Sequence, residues 1–359
     1  MDLRRAFEGL TVLVTGDTGF KGSWLALWLS HLGARVVGYA LPAKTPRDNY
    51  VVCDVGARIE HVDGDVRDLA AMQAVFAAHQ PDVVMHLAAQ PLVLASYDDP
   101  IETFATNVMG TAHMLECVRR TASVQAVLNV TTDKVYENLE SPRGYQESDR
   151  LGGHDPYATS KAASELVTTS YRRSFFGADG HGARIATARA GNVVGAGDWA
   201  DNRIFPDCIR ALERGEPVVM RNPSAVRPWQ HVLEPLAGYL ELTARLLGDD
   251  GDRFEGAWNF GPNPETVVPV EALVRATVAA WGTGQAESAA PRPSAGHETH
   301  LLTLDISKAV QALCWRPTLD LQALARFSVE GYRVEGPPEA FVSQRLAQIA
   351  AYEALANAR

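Results

Sequence analysis

The sequence predicts an α/β protein in which a doubly wound parallel sheet is followed by a smaller mixed α/β domain. Two observations predict this fold class. Short apolar runs typical of buried parallel strands alternate with helical segments up to about residue 190. A glycine-rich turn also joins the first of these strands to the first long helix. The chain has 359 residues, which favours about two domains.

The first strand is predicted at 11–15 and leads into Gly16-Asp-Thr-Gly-Phe-Lys-Gly22 and a helix over 23–32. Glycines permit a tight turn and a close approach of the backbone to a pyrophosphate, and the helix N-terminus offers free N–H groups to the phosphates. The spacing is G-x-x-G-x-x-G, so it carries weight only because it lies between a strand and a helix. It predicts a Rossmann-type dinucleotide site. The alternative is a glycine-rich turn that binds no ligand.

The second strand is predicted at 33–41, and the next acidic residue after it is Asp48. A ribose-binding acid normally follows the glycines by about 20 residues, so this region leaves the choice between NAD and NADP open. Asp65 lies where the third strand should end and could bind the adenine amino group. Capping of the following helix by Asp63, Asp65 or Asp68 explains the same residues equally well.

Residues 81–89 predict a buried strand whose small residues, Ala88 and Ala89, would let a cofactor lie against the backbone. His86 within it is expected to be a core histidine. A long helix is predicted at 101–120, carrying Asn107 and, near its middle, Gly110.

The central strand begins at Ala126, and the polar run Thr131-Thr132-Asp133-Lys134 falls where that strand would end. Open α/β sheets bind their ligands at the carboxyl ends of strands. Tyr157 and Lys161 follow with i, i+4 spacing, which on a helix places a phenol and an ammonium on one face. These residues predict an acid–base site for a polyol.

The regular alternation of strands and helices ends after a predicted strand at 185–189, and irregular, proline-containing segments follow. We therefore expect a dinucleotide-binding domain of residues 1–190, to which 228–262 returns, and a substrate-binding domain of 191–227 and 263–359. Residues 227–232 and 258–262 are expected on or near strands that rejoin the main sheet. The closing segment 338–358 predicts an amphipathic helix that caps the second domain.

Composition limits the possible partners. The net charge of −10 disfavours nucleic acid and anionic membrane surfaces, and no apolar run approaches 18 residues. The four cysteines form no C-x-x-C pair and are expected to be buried thiols of a reducing compartment. His297 and His300 lack further ligands at metal spacing, so no metal is expected. The N-terminus has no signal-like apolar region, which indicates the cytoplasm.

Motifs along nearly the whole chain resemble those of the nucleotide-sugar 4,6-dehydratases, which are extended short-chain dehydrogenases/reductases. They are VTGDTGFKGSW (14–24), HLAAQPL (86–92), NVMGT (107–111), TDKVY (132–136), GGHDPYATSK (152–161), AGNVVG (190–195), RPWQHV (227–232) and LDISK (304–308). The Asp133-Lys134 pair favours CDP-glucose as substrate, because most relatives acting on other nucleotide sugars carry Asp-Glu there. Asp17 departs from the pattern, which usually has histidine. A carboxylate beside a pyrophosphate is unfavourable, so Asp17 is expected to point away or to cap the helix.

The resemblance implies that bound NAD oxidises the sugar at C4, that water leaves across C5–C6, and that the hydride returns to C6. It implies Tyr157 as the base for the C4 hydroxyl, with its pKa lowered by Lys161 and by the nicotinamide charge. Lys161 would also hold the nicotinamide ribose. Thr132 would hydrogen-bond the C4 oxygen. Lys134, deprotonated through burial, would remove the C5 proton, and a protonated Asp133 would donate to the departing C6 hydroxyl. Alternatively, Lys134 only orients Asp133 as an ion pair.

The expected ligand contacts complete the predicted site. NAD would contact Gly16, Thr18, Gly19, Phe20, Lys21, Gly22, Asp65, Val66, Leu87, Ala88, Ala89, Asn107, Tyr157 and Lys161. The nucleotide sugar would contact Gln90, Asn192, Arg203 and Arg227. Asn192 and Arg227 are the candidates for its pyrophosphate, because an arginine fork suits phosphate oxygens, although a solvated surface position is the alternative for each arginine. The resemblance also implies a homodimer that pairs through the helices after Ile101 and around Tyr157.

Three other functions stay open at this point. One is a nucleotide-sugar 4-epimerase or oxidoreductase that uses Tyr157 and Lys161 alone, for which the Asp133-Lys134 pair would be superfluous. Another is a 4,6-dehydratase of a UDP-N-acetylhexosamine or of dTDP-glucose. The last is a non-catalytic cofactor-binding scaffold, which the intact Tyr157/Lys161 pair disfavours.

Overall fold

The computed structural model describes residues 2–141, 143–177, 180–288 and 302–358. Its central sheet has seven parallel strands, β1 to β6 and β11, in the order β11-β6-β5-β4-β1-β2-β3. The strands of this sheet are β1 Thr11–Thr15, β2 Arg35–Ala40, β3 Glu60–Asp63, β4 Val83–His86, β5 Ala126–Val130, β6 Arg184–Arg189 and β11 Gly256–Asn259. The predicted fold class is confirmed.

The strand order reverses beside β1, which pairs with β2 on one side and with β4 on the other. Such a switch point opens a crevice at the carboxyl ends of the strands. The glycine-rich turn that follows β1 therefore lies at the mouth of this crevice, where the sequence predicts a dinucleotide.

Helices cover both faces of the sheet. They are α1 Leu3–Phe7, α2 Phe20–His31, α3 Asn49–Val52, α4 Leu69–His79, α5 Val93–Asp98, α6 Pro100–Phe104, α7 Gly110–Arg119, α8 Pro156–Phe175, α9 Ile204–Glu213, α10 Leu233–Leu247, α11 Val270–Trp281, α12 Ser307–Leu313, α13 Leu321–Tyr332 and α14 Pro338–Asn357. Short 3₁₀ turns occupy Val55–Ala57, Asp133–Val135, Gly251–Phe254 and Pro264–Thr266, and a π-helical turn occupies Ala105–Met109.

Alternating residues of β1 supply two separate cores. Val12 and Val14 pack with Trp24 and Trp28 of α2 on one face, whereas Leu13 packs with residues of α4 and α7 on the other. A strand buried on both faces reads as a continuous apolar run, which is why this strand could be recognised in the sequence.

The predicted helix over 101–120 is helical but not uniform. It consists of α6, the π-helical turn and α7. The π turn carries Asn107, which is buried. π turns insert one extra residue and are frequent at functional sites.

In the described part of the chain, six short strands lie outside the main sheet: β7 Val193–Val194, β8 Val218–Met220, β9 Val226–Pro228, β10 Gln230–His231, β12 Val267–Pro269 and β13 Ala286–Ser288. They form the two-stranded pairs β10-β7, β12-β9 and β13-β8. The expectation that 227–232 rejoins the main sheet is therefore wrong. β11 does join that sheet, beside β6.

The C-terminal helix α14 was expected to cap the second domain, but it packs on the first domain as well. It packs on α2, where the Tyr352 ring meets Trp28 edge-on with 6.3 Å between the ring centroids. The Arg345 guanidinium lies 5.1 Å from the Trp24 ring centroid. The helix also contacts α13. Because its buried residues face both helices, α14 joins the two halves of the chain.

The four cysteines are free thiols. Cys53, Cys117 and Cys208 are buried, but Cys314 is exposed, so the expectation of burial is wrong there. Cys314 ends α12 in the left-handed conformation (φ 57°), which turns the chain at the surface. Within the described ranges no helix has the length and apolarity to span a bilayer, and no three acidic, histidine or cysteine side chains are grouped to bind a metal. His297 and His300 lie outside the described residues.

Candidate active site

Asp133 lies at the centre of a hydrogen-bonded cluster at the carboxyl end of β5. Its side chain is only 1% exposed. One carboxylate oxygen accepts from the Thr132 hydroxyl at 2.9 Å and from Lys134 Nζ at 3.0 Å. The other accepts from Asn192 Nδ2 at 3.1 Å. The 3₁₀ turn that begins at Asp133 thus points all three predicted residues of the 132–134 run into one cluster.

The end of β6 closes over this carboxyl group. A Cβ atom at Gly191 would lie 2.1 Å from the Asp133 carboxyl carbon, so only glycine fits there. The next residue, Asn192, adopts a left-handed φ of 51°. The sequence predicted Asn192 as a pyrophosphate ligand, whereas the structure places its amide on the catalytic carboxyl candidate.

The predicted tyrosine and lysine lie on the first turns of α8. This helix begins with Asp155 as its N-cap, which accepts from the Ala158 N–H at 2.8 Å. The Tyr157 N–H donates to Ser96 Oγ at 3.2 Å. Lys161 Nζ donates to the Val130 carbonyl oxygen at 2.8 Å. Because Val130 is the last residue of β5, this bond ties the helix to the strand that carries Asp133.

Burial and neighbouring charges both shift the pKa values of the two lysines of the site. Burial works to lower the pKa of Lys134, but the Asp133 carboxylate and Tyr157 outweigh it and raise that pKa. Burial lowers the pKa of Lys161 to about 8. The expectation that burial would leave Lys134 with a lowered pKa is therefore wrong in this structure, because its anionic partner is only 3.0 Å away.

Tyr157 differs from expectation in a similar way. Burial raises its pKa, and the opposing influences are the Lys134 charge and the hydrogen bond with Thr132. Lys161 was predicted to lower this pKa, but it is Lys134 that acts as the strongest cation on the phenol.

The glycine-rich turn has the shape that a dinucleotide requires. Gly16 adopts φ 77°, and a Cβ atom there would lie 2.7 Å from the Ala88 nitrogen. A Cβ atom at Gly22 would lie 2.0 Å from the Gly16 oxygen. Gly19 begins α2 without a side-chain cap. The backbone N–H groups of the first turn of α2 are therefore not taken up by a side-chain cap, which is the arrangement that phosphate binding uses.

The other predicted cofactor residues border this crevice. Thr18 donates its hydroxyl to the Leu41 carbonyl at 2.8 Å and so ties the turn to the end of β2. Leu87 is joined to the end of β1 through its backbone, since its N–H donates to the Thr15 carbonyl oxygen at 3.0 Å. Val66 is buried against Gly110. Phe20, Lys21, Ala88 and Ala89 are half-buried.

Three predicted ligand residues already bind protein groups. Asp65 is held by Arg67, with 2.5 Å between Nη2 and Oδ2, while Asp68 is the residue that caps α4. Asn107 accepts from the Gln90 N–H at 2.8 Å and donates to Ser160 Oγ at 2.8 Å. The Gln90 side chain donates to Thr103 at 2.9 Å. Asn107 and Gln90 thus brace the loop after β4 against α6 and α8.

The two predicted arginines approach the cluster from the second half of the chain. Arg203 pairs with Asp198 at 2.9 Å, and its charge acts on Tyr157 and Lys21. Arg227 donates to the Val226 carbonyl at 2.8 Å, and its charge acts on Lys134. Both guanidinium charges therefore act on side chains of the site.

Sequence reasoning missed two buried groups. Tyr239 of α10 has a buried hydroxyl with no hydrogen-bond partner in the described ranges, and Tyr157 and Asp133 act on it electrostatically. Glu165 accepts from Thr131 at 2.5 Å and pairs with Arg189 at 2.9 Å beneath the site. Glu165 follows Lys161 by four residues, and that helical spacing was the available signal. Tyr239 lies in a mostly apolar helical segment, and that pattern gave no signal of a functional residue.

Lys21 completes the set of cations around the site. Burial, followed by the charge of Arg203, lowers its pKa to about 7. Its ammonium lies 5.9 Å from the Tyr239 ring centroid.

The doubly wound sheet, the glycine-rich turn at its switch point and the Tyr157/Lys161 pair beside β5 define a short-chain dehydrogenase/reductase of the extended type. A family model described as GDP-mannose 4,6 dehydratase matches residues 13–327, and the chain belongs to that family.

Two curated relatives show where the chain lies within it. CDP-glucose 4,6-dehydratase of Salmonella typhimurium is 46% identical over 314 residues, which cover 87% of each chain. dTDP-glucose 4,6-dehydratase 1 of Escherichia coli is 26% identical over 345 residues, covering 90% of this chain and 92% of its own.

Solved structures show the same fold. DesIV, a dTDP-glucose 4,6-dehydratase from Streptomyces venezuelae with NAD and TYD bound, has a TM-score of 0.75 at 25% identity, covering 90% of this chain and 97% of its own. A Thermus thermophilus UDP-glucose 4-epimerase in complex with NAD has a TM-score of 0.74 at 26% identity, covering 91% of this chain and 100% of its own.

Proposed function

We propose that this protein is an NAD-dependent hydro-lyase that converts CDP-glucose to CDP-4-keto-6-deoxyglucose. The observation that carries the proposal is the Thr132-Asp133-Lys134 cluster, which adds an acid–base pair to the Tyr157/Lys161 pair at one strand end. The 46% identity to a CDP-glucose 4,6-dehydratase supports this choice of substrate. An epimerase on the same fold would need no acid–base pair for removing water, so the buried Asp133 and its ion pair with Lys134 would have no function.

The dinucleotide would lie along the glycine-rich turn, with its phosphates at the N-terminus of α2 and its nicotinamide end near Lys161. NAD supplies the hydride acceptance at C4 and the hydride return at C6. The protein supplies the proton transfers. Tyr157 removes the C4 hydroxyl proton, and Thr132 holds the same oxygen.

The Asp133-Lys134 contact explains how two unfavourable protonation states can arise together. Elimination needs a neutral Lys134 and a protonated Asp133. Transfer of one proton from the ammonium to the carboxylate across their 3.0 Å contact produces both states at once. The neutral amine then takes the C5 proton, and the carboxylic acid gives its proton to the departing C6 hydroxyl, which leaves as water. The two side chains thereby return to the ion pair seen in the structure.

Arg203, Arg227 and Lys21 are the cations that we assign to the substrate and cofactor anions. Their charges already act on Tyr157, Lys134 and one another across the crevice. Arg227 is our candidate for the sugar-nucleotide pyrophosphate, since a guanidinium offers paired donors to phosphate oxygens. Asn192 would support Asp133 instead of this pyrophosphate.

We also propose that two copies of the chain pair through α6, the π turn and α8. These elements pack against one another and expose large apolar side chains, including Ile101 (76% exposed), Leu166 (60%) and Met109 (50%). An apolar surface of this kind favours a protein partner. Ile101→Glu should shift the molecular mass measured by light scattering from dimer to monomer, whereas Leu139→Glu on an equally exposed site should not.

A cytoplasmic location completes the proposal. It is supported by the four free thiols, which a reducing compartment preserves.

The decisive experiment is incubation of the purified protein with CDP-, dTDP- and UDP-glucose without added cofactor, followed by mass spectrometry and NMR of the products. We expect turnover of CDP-glucose to a 4-keto-6-deoxy product, with deuterium placed at C4 recovered at C6 of the same molecule. Tyr157→Phe is the matched inactive control. A C4-inverted hexose would identify an epimerase, turnover of another nucleotide sugar alone would contradict the assigned substrate, and deuterium lost to solvent would contradict an internal hydride return.

A further inference from the structure

The glycine-rich turn carries an acidic residue that the predicted cofactor site does not explain. Asp17 follows Gly16 directly, and its side chain is fully buried. A Cβ atom at Gly38 would lie 2.2 Å from Asp17 Oδ2, so the carboxylate lies flat on β2. The expectation that Asp17 points away from the phosphates agrees with this burial. The Asp17 carboxylate nevertheless places a negative charge directly beneath the glycine-rich turn.

His61 of β3 is the group that meets this charge. It lies beside Gly38 in the strand register, and its Nδ1 is 2.7 Å from Asp17 Oδ2. Its Nε2 is 3.3 Å from Asp63 Oδ1. A carboxylate oxygen only accepts hydrogen bonds, so a ring with carboxylates at both nitrogens is satisfied best when both nitrogens carry protons. The Asp17 hydrogen bond accordingly raises the pKa of His61.

Tyr50 of α3 also faces the ring, and its ring centroid lies 5.4 Å from that of His61. Burial raises the pKa of Tyr50 to about 12, so it stays neutral. The groups that face His61 are therefore two carboxylates, one buried and one exposed, and a neutral phenol. The imidazole side chain is 15% exposed, so it can exchange its proton with solvent.

We propose that His61 is a positioning residue for the dinucleotide, because its imidazolium cancels the buried Asp17 charge under the phosphate-binding turn. Loss of the His61 proton leaves an uncompensated carboxylate beneath the turn, and this carboxylate opposes the binding of the two phosphates. The inference rests on the proposed NAD dependence. It adds that NAD binding is coupled to a proton at a residue that does not touch the reacting atoms.

The sign of the effect follows from linkage. The charged form of His61 favours NAD, so NAD binding holds the proton on His61, and affinity falls as the pH rises through the His61 pKa. Lys21 and Lys161 add their own pH dependence, with pKa values lowered by burial to about 7 and about 8. The informative quantity is therefore the ratio of NAD dissociation constants between the unmodified chain and the double variant Asp17→Asn/His61→Gln, which lacks both charges and in which the contributions of the lysines cancel.

The test is calorimetric titration of NAD into the full-length chain, freed of bound nucleotide, between pH 6 and pH 9. Here we expect the ratio of the wild-type constant to that of Asp17→Asn/His61→Gln to be near one at the acid end and to rise to roughly tenfold at the alkaline end. In His61→Gln the dissociation constant should exceed that of the double variant by this factor at every pH, so that it exceeds the wild-type constant only at the acid end. Recovery of affinity when Asp17→Asn is added to His61→Gln separates this role from misfolding. His79→Gln, which removes another histidine paired to a carboxylate, should match the wild type.

A ratio that does not change with pH, or a double variant as weak as His61→Gln alone, would overturn the inference while leaving the proposed function intact. Absence of NAD binding in every variant at every pH would overturn the cofactor assignment and the inference together.

Discussion

Replacement of Asp133 by asparagine is the sharpest test of the proposed elimination chemistry. The side chain is buried and bonded to Thr132, Lys134 and Asn192 at 2.9 to 3.1 Å, so an amide of the same shape can occupy the site. The amide can neither neutralise Lys134 nor give a proton to the C6 hydroxyl. General acid catalysis contributes about 10² to 10⁴ in rate, so the elimination barrier should rise by roughly 3 to 5 kcal/mol. Oxidation at C4, which depends on Tyr157, should continue.

Rapid mixing of the Asp133→Asn variant with CDP-glucose separates the two steps. The absorbance of reduced nicotinamide reports oxidation, and rapid quenching with mass spectrometry reports loss of water. We expect reduced nicotinamide to accumulate in the variant and to stay low in the wild type. Asp252→Asn is the matched control, because this carboxylate is 83% exposed and pairs only at the surface with Arg184. Wild-type dehydration by Asp133→Asn would refute the assigned role, as would loss of oxidation with substrate affinity unchanged.

Three further predictions follow from the same contacts. Lys134→Ala should keep C4 oxidation but lose exchange of the C5 hydrogen with deuterated water, measured by NMR; exchange at the wild-type rate would exclude Lys134 as the base. Gly191→Ala should lower turnover without weakening NAD binding, because the new Cβ would meet the Asp133 carboxyl at 2.1 Å; unchanged turnover would show that the two strand ends are not held together. Glu165→Gln breaks a buried pair with Arg189 and should lower the free energy of unfolding by about 3 to 5 kcal/mol at neutral pH, measured by denaturant titration. The Arg189 charge and hydrogen bonds lower the pKa of Glu165 against the effect of burial. The stabilisation by Glu165 is therefore present above its ordinary pKa and is lost as the pH falls through the lowered value. The deficit of the variant in unfolding free energy should shrink in acid, and an equal deficit at acid pH would contradict this account.

The sequence predicted the sheet well where strands are buried on both faces. The first strand has the predicted bounds, Thr11–Thr15, because an apolar run next to a glycine turn has few alternatives. Prediction failed where pairing depends on partners distant in sequence. Residues 226–231 form two short strands that pair with β12 and β7, and no local pattern distinguishes these partners from the main sheet.

The candidate site shows the same division. Tyr157, Lys161 and the 132–134 run could be located because strand ends and helical spacing specify where they point. The protonation preference of Lys134 could not, since it depends on a 3.0 Å contact and not on burial alone. The pairing of Asp17 with His61 was equally hidden, because the two residues are 44 positions apart and meet only through the register of β1, β2 and β3.

The position of Asp133 explains why we assign the proposed acid–base chemistry to this strand end. β5 is flanked by β4 and β6, so the end of β5 is enclosed on both sides by neighbouring loops. The loop after β6 supplies Gly191, which leaves room for the carboxyl group, and Asn192, which donates to it. The helix after β5 supplies Lys161, which is bonded to the Val130 carbonyl of the same strand. A carboxyl group surrounded in this way lies 3.0 Å from Lys134 Nζ without help from a ligand. The Asp133-Lys134 contact of the proposed proton transfer is therefore already formed in the folded protein, and in the proposed reaction the sugar needs only to bring its C5 and C6 atoms to it.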